Sequence, residues 1–368
     1  MPIPYAYGAP MLKAREAVRT LSEYHPPLGN REGLRLDFNE NTAGCSPRVV
    51  ERLKELDRET LARYPERQPG EQIVAGHLHV SPRELLLTNG TDEAIHLVSE
   101  TYLEPGDEAI IVVPTFALYE ICAAQTGARV IPVPAGKDFA FPTAGVLRAV
   151  NARTRFIAVA NPNNPTGTFA RISDLIQIAK AAPRAALLAD EAYVEFSGET
   201  IAPGWREVPN LFVSRTFSKA YGMAGLRIGV LMGDDEQIGW VRRAASPYNL
   251  NAVALACLPA ALEDQDYVRA YVDQTLEGRR QLEWELESWG VRFWPSRANF
   301  VLIDLGERSK PFIGEMRARG ILVRDRSRDY GCEGCVRITV GIREHNQQLL
   351  KALREVFREV GLREKVAG

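Results

Sequence analysis

A lysine, two hydroxyl residues and an arginine lie close together in the stretch from Val213 to Arg227: Thr216, Ser218, Lys219 and Arg227. A lysine amine condenses with a carbonyl, and hydroxyls with a guanidinium hold a phosphate dianion. Gly222 and Gly225 let the backbone turn closely around such a group. The set suits an aldehyde that carries a phosphate. Taken alone, a lysine between Ser218 and Ala220 reads as a solvated surface residue. Three further segments turn the balance toward chemistry.

Asn89-Gly90-Thr91-Asp92-Glu93 follows a short apolar run and opens a helix. Free N–H groups and the dipole at a helix start favour an anion. Gly90 permits close approach and Thr91 adds a hydroxyl, although plain helix capping gives the same pattern. Asn161-Pro162-Asn163-Asn164-Pro165-Thr166-Gly167 is a loop by its turn residues. It presents the Asn164 amide, which can donate to a ring oxygen. Asp190-Glu191-Ala192-Tyr193 follows a fully apolar strand, where an unpaired carboxylate is costly. A protonated ring nitrogen would compensate Asp190, as would a salt bridge or a capping role. Tyr193 can reach the same ring. Phe116, just after another strand, can stack on it or belong to the core. One ligand fits all of these pieces. It has a phosphate, an aldehyde, a ring hydroxyl and a ring nitrogen that must stay protonated. Pyridoxal phosphate has each, and Asp190 would keep its ring drawing electrons from the substrate Cα.

The elements that must position these residues alternate regularly. Strand-like runs at 85–87, 109–113, 130–133, 156–160, 185–189, 211–213 and 228–232 are separated by helical stretches. Pro132 marks the third as irregular or at an edge. Strands apolar throughout predict an α/β fold, with a mostly parallel sheet covered by helices on both faces. Ligands bind such sheets beyond the carboxyl ends of the strands, where the polar motifs fall. After Tyr248 the pattern changes. A helix to about Glu263 precedes a long charged helix from about Tyr267 to Trp289. Short strands and helices then form a smaller α+β domain. The expected division is an N-terminal arm over 1–44 that is part of the small domain, a large domain over 45–255 and a small C-terminal domain over 256–368. The arm carries one short helix near Met11 to Ser22, and a second helix runs from about Pro47 to Leu56, capped by Ser46.

Composition removes several function classes. Lys and Arg number 45 against 47 Asp and Glu, a formal charge of -2, so no basic excess attracts nucleic acid. No apolar run approaches membrane-spanning length, and the first residues lack the layout of a secretion signal. Five scattered cysteines read as reduced thiols of a cytoplasmic protein. Cys332-Glu333-Gly334-Cys335 has metal-like spacing without a second pair and reads as a turn before a strand, so no metal is expected.

These residues resemble the fold-type I pyridoxal-phosphate aminotransferases, and within them the histidinol-phosphate aminotransferases. The similarity runs from about Leu36 to the C-terminal helix. It is carried by Tyr64-Pro65-Glu66, Gly90-Thr91-Asp92-Glu93, Asn163-Asn164-Pro165-Thr166-Gly167, Asp190-Glu191-Ala192-Tyr193-Val194-Glu195-Phe196, Arg215-Thr216-Phe217-Ser218-Lys219-Ala220, Ala224-Gly225-Leu226-Arg227 and Cys335-Val336-Arg337-Ile338-Thr339-Val340-Gly341. The resemblance implies a homodimer with shared active sites, in which Tyr64 reaches the cofactor phosphate of the other subunit. It makes Arg337 the holder of the substrate α-carboxylate, by two parallel hydrogen bonds. Arg324 matches an arginine that contacts a substrate phosphate. Tyr24 lies where the family has a tyrosine near that phosphate, and Asn41 belongs to the substrate loop. Three features depart from the family: Phe116 where a tyrosine is frequent, the loop Thr42-Ala43-Gly44-Cys45 without prolines, and the N-terminal arm.

The implied reaction is a reversible ping-pong transamination of histidinol phosphate and 2-oxoglutarate, giving imidazole-acetol phosphate and glutamate, a step of histidine biosynthesis. Lys219 would remove the substrate Cα proton and return it to the cofactor carbon. One pocket serves both substrates if Arg337 takes glutamate's α-carboxylate while Arg324 takes the phosphate or the distal carboxylate. An aromatic or broad-specificity aminotransferase is the alternative that Phe116 and the altered loop favour. A phosphothreonine-type decarboxylase and a non-catalytic ligand-sensing relative are further alternatives.

Overall fold

The computed structural model describes residues 12–23, 29 and 31–363. Tyr24, one of the residues singled out above, lies outside them. Seven strands build the large sheet: β2 (Leu85–Thr88), β3 (Glu108–Val113), β4 (Arg129–Pro134), β5 (Thr154–Ala160), β6 (Ala186–Asp190), β7 (Leu211–Thr216) and β8 (Gly229–Gly233). A two-residue β1 (Leu34–Arg35) precedes them. The spatial order is β2-β8-β7-β6-β5-β3-β4. Only β8 runs against the other six, pairing antiparallel with both β2 and β7. β4 with its prolines is the edge strand, where a missing N–H costs no ladder bond.

Successive side chains along the inner strands enter opposite layers. Ile110, Ile157, Leu187 and Val213 pack into one core. Ile111, Phe156, Leu188 and Phe212 pack into the other. Both faces are covered, which is why these strands carry no polar alternation. The helix Ile172–Ala181 buries Leu175, Ile178 and Ala179, with Ile172 and Ile176 partly buried beside them. The helix Pro47–Lys54 starts at Ser46, whose side chain accepts from Arg48 N–H.

The second sheet has the antiparallel order β12-β13-β10-β9, from β9 (Arg292–Trp294), β10 (Phe300–Asp304), β12 (Arg324–Asp325) and β13 (Cys335–Thr339). Residues 321–325 form two short strands divided at Val323. β11 (Ile321–Leu322) pairs in parallel with β1, while β12 turns to β13. Leu36, next to β1, is buried in the small-domain core with Val301, Ile303, Val336 and Ile338. The short helix in the described part of the arm covers only Glu16–Arg19.

The expected division at 256 falls inside the helix Ala252–Glu263. Cys257, Leu258, Ala261 and Leu262 of that helix lie in the large-domain core. The next helix, Gln265–Ser288, joins the two bodies: Val268 and Tyr271 belong to the large core, Leu282 and Leu286 to the small one. A continuous helix has no composition break to mark this change. Cys332 and Cys335 close a turn through Cys335 N–H to Cys332 O, 2.9 Å. Among the described residues no His, Cys, Asp and Glu group could hold a metal ion.

Glu285 ties the long helix to the last one, Arg343–Glu359. It is 2% exposed. It accepts from Trp289 Nε1 at 2.9 Å and from Arg354 through Nε at 2.9 Å and a terminal nitrogen at 2.7 Å. Removing one partner of a buried pair leaves an uncompensated charge. Arg354→Ala therefore destabilises the small domain by about 2–3 kcal/mol, below the fully buried range because the arginine is half exposed. A lowered midpoint in urea unfolding, followed by tryptophan fluorescence, checks it. An unchanged midpoint would mean that Glu285 is adequately solvated without Arg354.

Candidate active site

The carboxyl ends of β2, β3, β5, β6 and β7 lie along one edge of the large sheet, and the reversed β8 begins there. Gly229 at its start pairs with Thr88 on one side and Thr216 on the other. A Cβ at Gly229 would lie 2.8 Å from Gly90 C, 2.9 Å from Thr91 N and 3.0 Å from Arg215 O. The missing side chain therefore lets the helix Gly90–Tyr102 start against the end of β7. Gly90 has φ +75°, and a Cβ there would run into the Arg227 guanidinium. Arg227, itself left-handed at φ 53°, donates to Ala224 O at 3.2 Å, Ser218 Oγ at 3.5 Å and Asp92 Oδ2 at 3.2 Å. Thr216 Oγ1 accepts from Ser218 N–H at 3.1 Å. The helix start with Thr91, and Thr216, Ser218 and Arg227, are thus brought together at the start of β8. These groups fit a phosphate dianion, and Asp92 holds the guanidinium toward it.

Asp190 ends β6 and is 5% exposed. Tyr119 Oη donates to Oδ2 at 2.6 Å and Ser214 Oγ to Oδ1 at 3.0 Å. No lysine, arginine or histidine pairs with it among the described residues. Burial pushes its carboxyl up to about 6, against the two hydroxyl bonds that lower it. The salt bridge considered for Asp190 is absent from the described contacts, the Ala192 N–H adds a local backbone bond, and the carboxylate is left short of a cation. A ligand's protonated ring nitrogen meets that need. Tyr119 and Ser214 were not singled out from sequence. Ser214 lies beside Asp190 in the parallel ladder. Tyr119 is one turn beyond Phe116, and the two rings meet edge-on at 5.9 Å.

Lys219 is enclosed between the two domains. Its Nζ donates to Phe38 O at 3.0 Å and stands 5.9 Å from the Tyr193 ring centroid. Burial first, then the Arg337 charge, pushes its amine down to about 8. A depressed amine is a better nucleophile and base near neutral pH. The segment 37–41 organises this space. Asp37 O accepts from Arg337 at 2.7 Å, and Asn39 Nδ2 donates to Tyr193 Oη at 2.8 Å. Asn39 is held at φ 56° by Thr339 Oγ1, which takes its N–H and donates to its Oδ1, both at 3.1 Å. Asn41 has both ends of its amide on backbone: Nδ2 to Ala220 O at 2.9 Å, and Oδ1 from Ala43 N–H at 2.8 Å.

Arg337 is 4% exposed, on β13. Besides Asp37 O, it bonds Asn164 Oδ1, which leaves the Asn164 amide nitrogen as a donor. Its Nε is buried with no hydrogen-bond partner among the described residues. Burial pushes this guanidinium down to about 9, helped by Arg326 and Arg324. A buried cation short of an anion is a carboxylate site in waiting. Arg324 is directly opposite Arg337 in the ladder, and its guanidinium stands 5.1 Å from the Phe38 ring. Arg31, 4.2 Å from the same ring, is taken up by Asp37 and Glu40. Tyr64 is apart from this group. It is 77% exposed and stacks on Tyr248 at 4.3 Å.

Residues 31–353 match the family described as aminotransferase class I and II. The histidinol-phosphate aminotransferase of Moorella thermoacetica is 33% identical over 362 residues, covering 94% of this chain and 93% of its own. That of a Geobacillus species is 34% identical over 349 residues, covering 93% and 94%. Among solved structures, the histidinol-phosphate aminotransferase of Sinorhizobium meliloti in complex with pyridoxal-5'-phosphate superposes with a TM-score of 0.86 at 24% identity, over 96% of this chain and all of that one.

The lowered Lys219 amine gives a pH signature. In ligand-free protein, trapping by a small aldehyde and cyanoborohydride should rise through pH 8 and level off soon after, because half of the amine is neutral at its pKa. Surface lysines, titrating near 10.4, keep gaining reactivity for roughly two further pH units. Peptide mapping of the labelled lysine across pH separates the two curves, and a Lys219 curve like the others would contradict the burial argument. Gly229→Ala should push the start of the helix Gly90–Tyr102 away from β7. The expected result is weaker cofactor retention on dialysis with near-normal folding by circular dichroism.

Proposed function

The chain belongs to the class I and II aminotransferases, and we propose that it transfers the amino group of histidinol phosphate to 2-oxoglutarate, a step of histidine biosynthesis. Pyridoxal 5'-phosphate is its cofactor. When bound, that group supplies an electrophilic carbonyl and an electron-drawing ring that makes the substrate Cα proton removable. Thr91, Thr216, Ser218, Arg227 and the backbone at Gly90 would hold its phosphate. Asp190 would pair with its ring nitrogen, held by Tyr119 and Ser214. Asn164 and Tyr193 have hydroxyl and amide donors for the ring oxygen, and Phe116 offers a ring face.

The remaining work falls to side chains on the page. Lys219 Nζ, neutral in a useful fraction near pH 8, takes the Cα proton from the donor, would pass it to the cofactor carbon within the same half-reaction, and delivers a proton to the acceptor's Cα in the return half. Phe38 O holds Nζ when it is not engaged. Arg337 grips an α-carboxylate, and Arg324 across the ladder meets a phosphate or a distal carboxylate. The observation that carries the reading is this pairing: two guanidinium groups on one ladder, with the Arg337 charge acting on Lys219. One group suffices for a monocarboxylate. Two suit alternate substrates that differ in where their negative charge lies.

The protein is proposed to work as a homodimer in the cytoplasm. The stacked and exposed Tyr64 and Tyr248, with Leu61 exposed nearby in sequence, form a surface that a second copy would cover. No helix among the described residues is long and apolar enough to cross a membrane.

The test is a half-reaction. Purified holoenzyme is mixed separately with histidinol phosphate, glutamate and phenylalanine, and conversion of the cofactor to its amine form is followed by absorbance. Fast conversion with the first two and slow conversion with phenylalanine is expected. Fast conversion with phenylalanine and none with histidinol phosphate would make it an aromatic aminotransferase. Lys219→Ala should lower the rate at least about 1,000-fold, since it removes both the nucleophile and the proton carrier.

A further inference from the structure

Asn39 belongs to none of the motifs read from sequence, yet its hydrogen bonds join two of them. Asn39 is 1% exposed, Tyr193 is 4% exposed and Thr339 is fully buried, so their polar atoms must satisfy one another. Thr339 Oγ1 accepts the Asn39 N–H at 3.1 Å, and its hydroxyl proton goes to Asn39 Oδ1, also at 3.1 Å. With Oδ1 engaged by that proton, the amide turns its nitrogen toward Tyr193, and Nδ2 donates to Tyr193 Oη at 2.8 Å. A phenol oxygen that accepts keeps its own proton free to donate. That proton has no acceptor among the described contacts.

The direction of this chain is set from its far end. Thr339 on β13 orients Asn39, and Asn39 orients Tyr193, three residues beyond the end of β6. The Tyr193 ring is held by Phe300, edge-on at 5.2 Å. Asn39 O accepts from Asn299 Nδ2 at 3.2 Å, and its φ of 56° is a conformation that asparagine tolerates better than most residues.

We propose that Asn39 is a positioning residue of the active site, acting through Tyr193 by fixing the phenol as a donor to the ring oxygen of the cofactor. The inference rests on the reading above that Tyr193 serves this oxygen, and deepens it. Once the Lys219 nitrogen is joined to the cofactor, its proton is held by the negative charge of the ring oxygen. A hydrogen bond given to that oxygen stabilises the charge, so the proton leaves at lower pH. The charged groups facing Tyr193 are Arg337 on β13, Asp190 at the end of β6, Arg326 after β12, and Lys219, whose Nζ is 5.9 Å from the ring centroid. Their own bonds go to Asp37, Ser214, Asp329 and Phe38, not to the Asn39 side chain, so replacing it leaves these charges in place.

The experiment titrates the cofactor absorbance of holoenzyme against pH, in wild type, Asn39→Gly, Tyr193→Phe and the double variant. Glycine accepts the left-handed backbone, so the amide alone is lost. Loss of the orienting bond predicts a midpoint roughly 0.5 to 1 pH unit above wild type in Asn39→Gly. Tyr193→Phe should raise it at least as far. The double variant should match Tyr193→Phe, because Asn39 then has nothing to orient. Thr339→Val should also raise the midpoint, and Thr339→Ser, which keeps the hydroxyl, should not. This pair carries the test if Asn39→Gly folds poorly by circular dichroism. A midpoint unmoved in folded Asn39→Gly, or in Thr339→Val in its place, while that of Tyr193→Phe shifts, overturns the proposal alone. So does a second rise of equal size when Asn39→Gly is added to Tyr193→Phe, since Asn39 would then act by another route. A midpoint unmoved in Tyr193→Phe overturns the proposal together with the reading of Tyr193 beneath it.

Discussion

A carboxylate buried at the end of a strand, with hydroxyls around it and no cation, is the constraint on which the site depends. Asp190 is held by Tyr119 and Ser214, which orient it without neutralising it. Leaving a charge in this state is expensive unless something positive arrives. Lys219, half-buried on the other side of the space, has the opposite deficit, since among the described residues its hydrogen-bond acceptor is the neutral Phe38 carbonyl. The two groups do not pair with each other. A ligand that brings a cationic nitrogen to one and a carbonyl carbon to the other relieves both. The fold keeps these charges apart by rigid means: Asp190 sits on the central β6, while the loop that carries Lys219 is fixed at Thr216 and again at Gly229.

The reversed strand β8 explains much of that rigidity. Because it begins where its neighbours end, it brings Arg227 back to the carboxyl edge within a few residues of Lys219. A parallel strand in that place would need a long crossover and would deliver Arg227 to the opposite edge. The second fixed point is the segment 37–41. It touches the large domain through Lys219, Ala220 and Tyr193, and the small domain through Arg337, Thr339 and Asn299. Five residues therefore set the spacing between Lys219 on one body and Arg337 on the other.

Much of this was legible in the sequence, for identifiable reasons. Lys219, Asp190 and Arg227 announce themselves by residue type, by turn residues nearby and by their place beside apolar runs, whereas Arg337 stands out only through the family resemblance. The layered sheet follows from strands without polar alternation, and the edge position of β4 from its prolines. What stayed hidden depends on geometry that residue types do not encode. Phe38 acts through a backbone carbonyl, which every residue has. Tyr119 and Ser214 become partners of Asp190 only once helix direction and strand register are known. The reversal of β8 leaves no mark, since antiparallel and parallel buried strands read alike. The split at Val323 arises because the chain changes sheets there, and beyond it Arg324 stands opposite Arg337.

The segment 37–41 also bears on how the protein comes into being. It is made among the first residues, yet its hydrogen-bond partners include Tyr193, Asn299, Arg337 and Thr339, and β1 beside it waits for β11. On the ribosome, the large sheet can assemble while this segment has nothing to hold on the small-domain side. Such distant pairings close slowly, because long loops must be ordered first. By this argument the space between the two bodies closes late. On that order, a nascent chain would place Asp190 in the sheet before the segment 37–41 reaches Lys219.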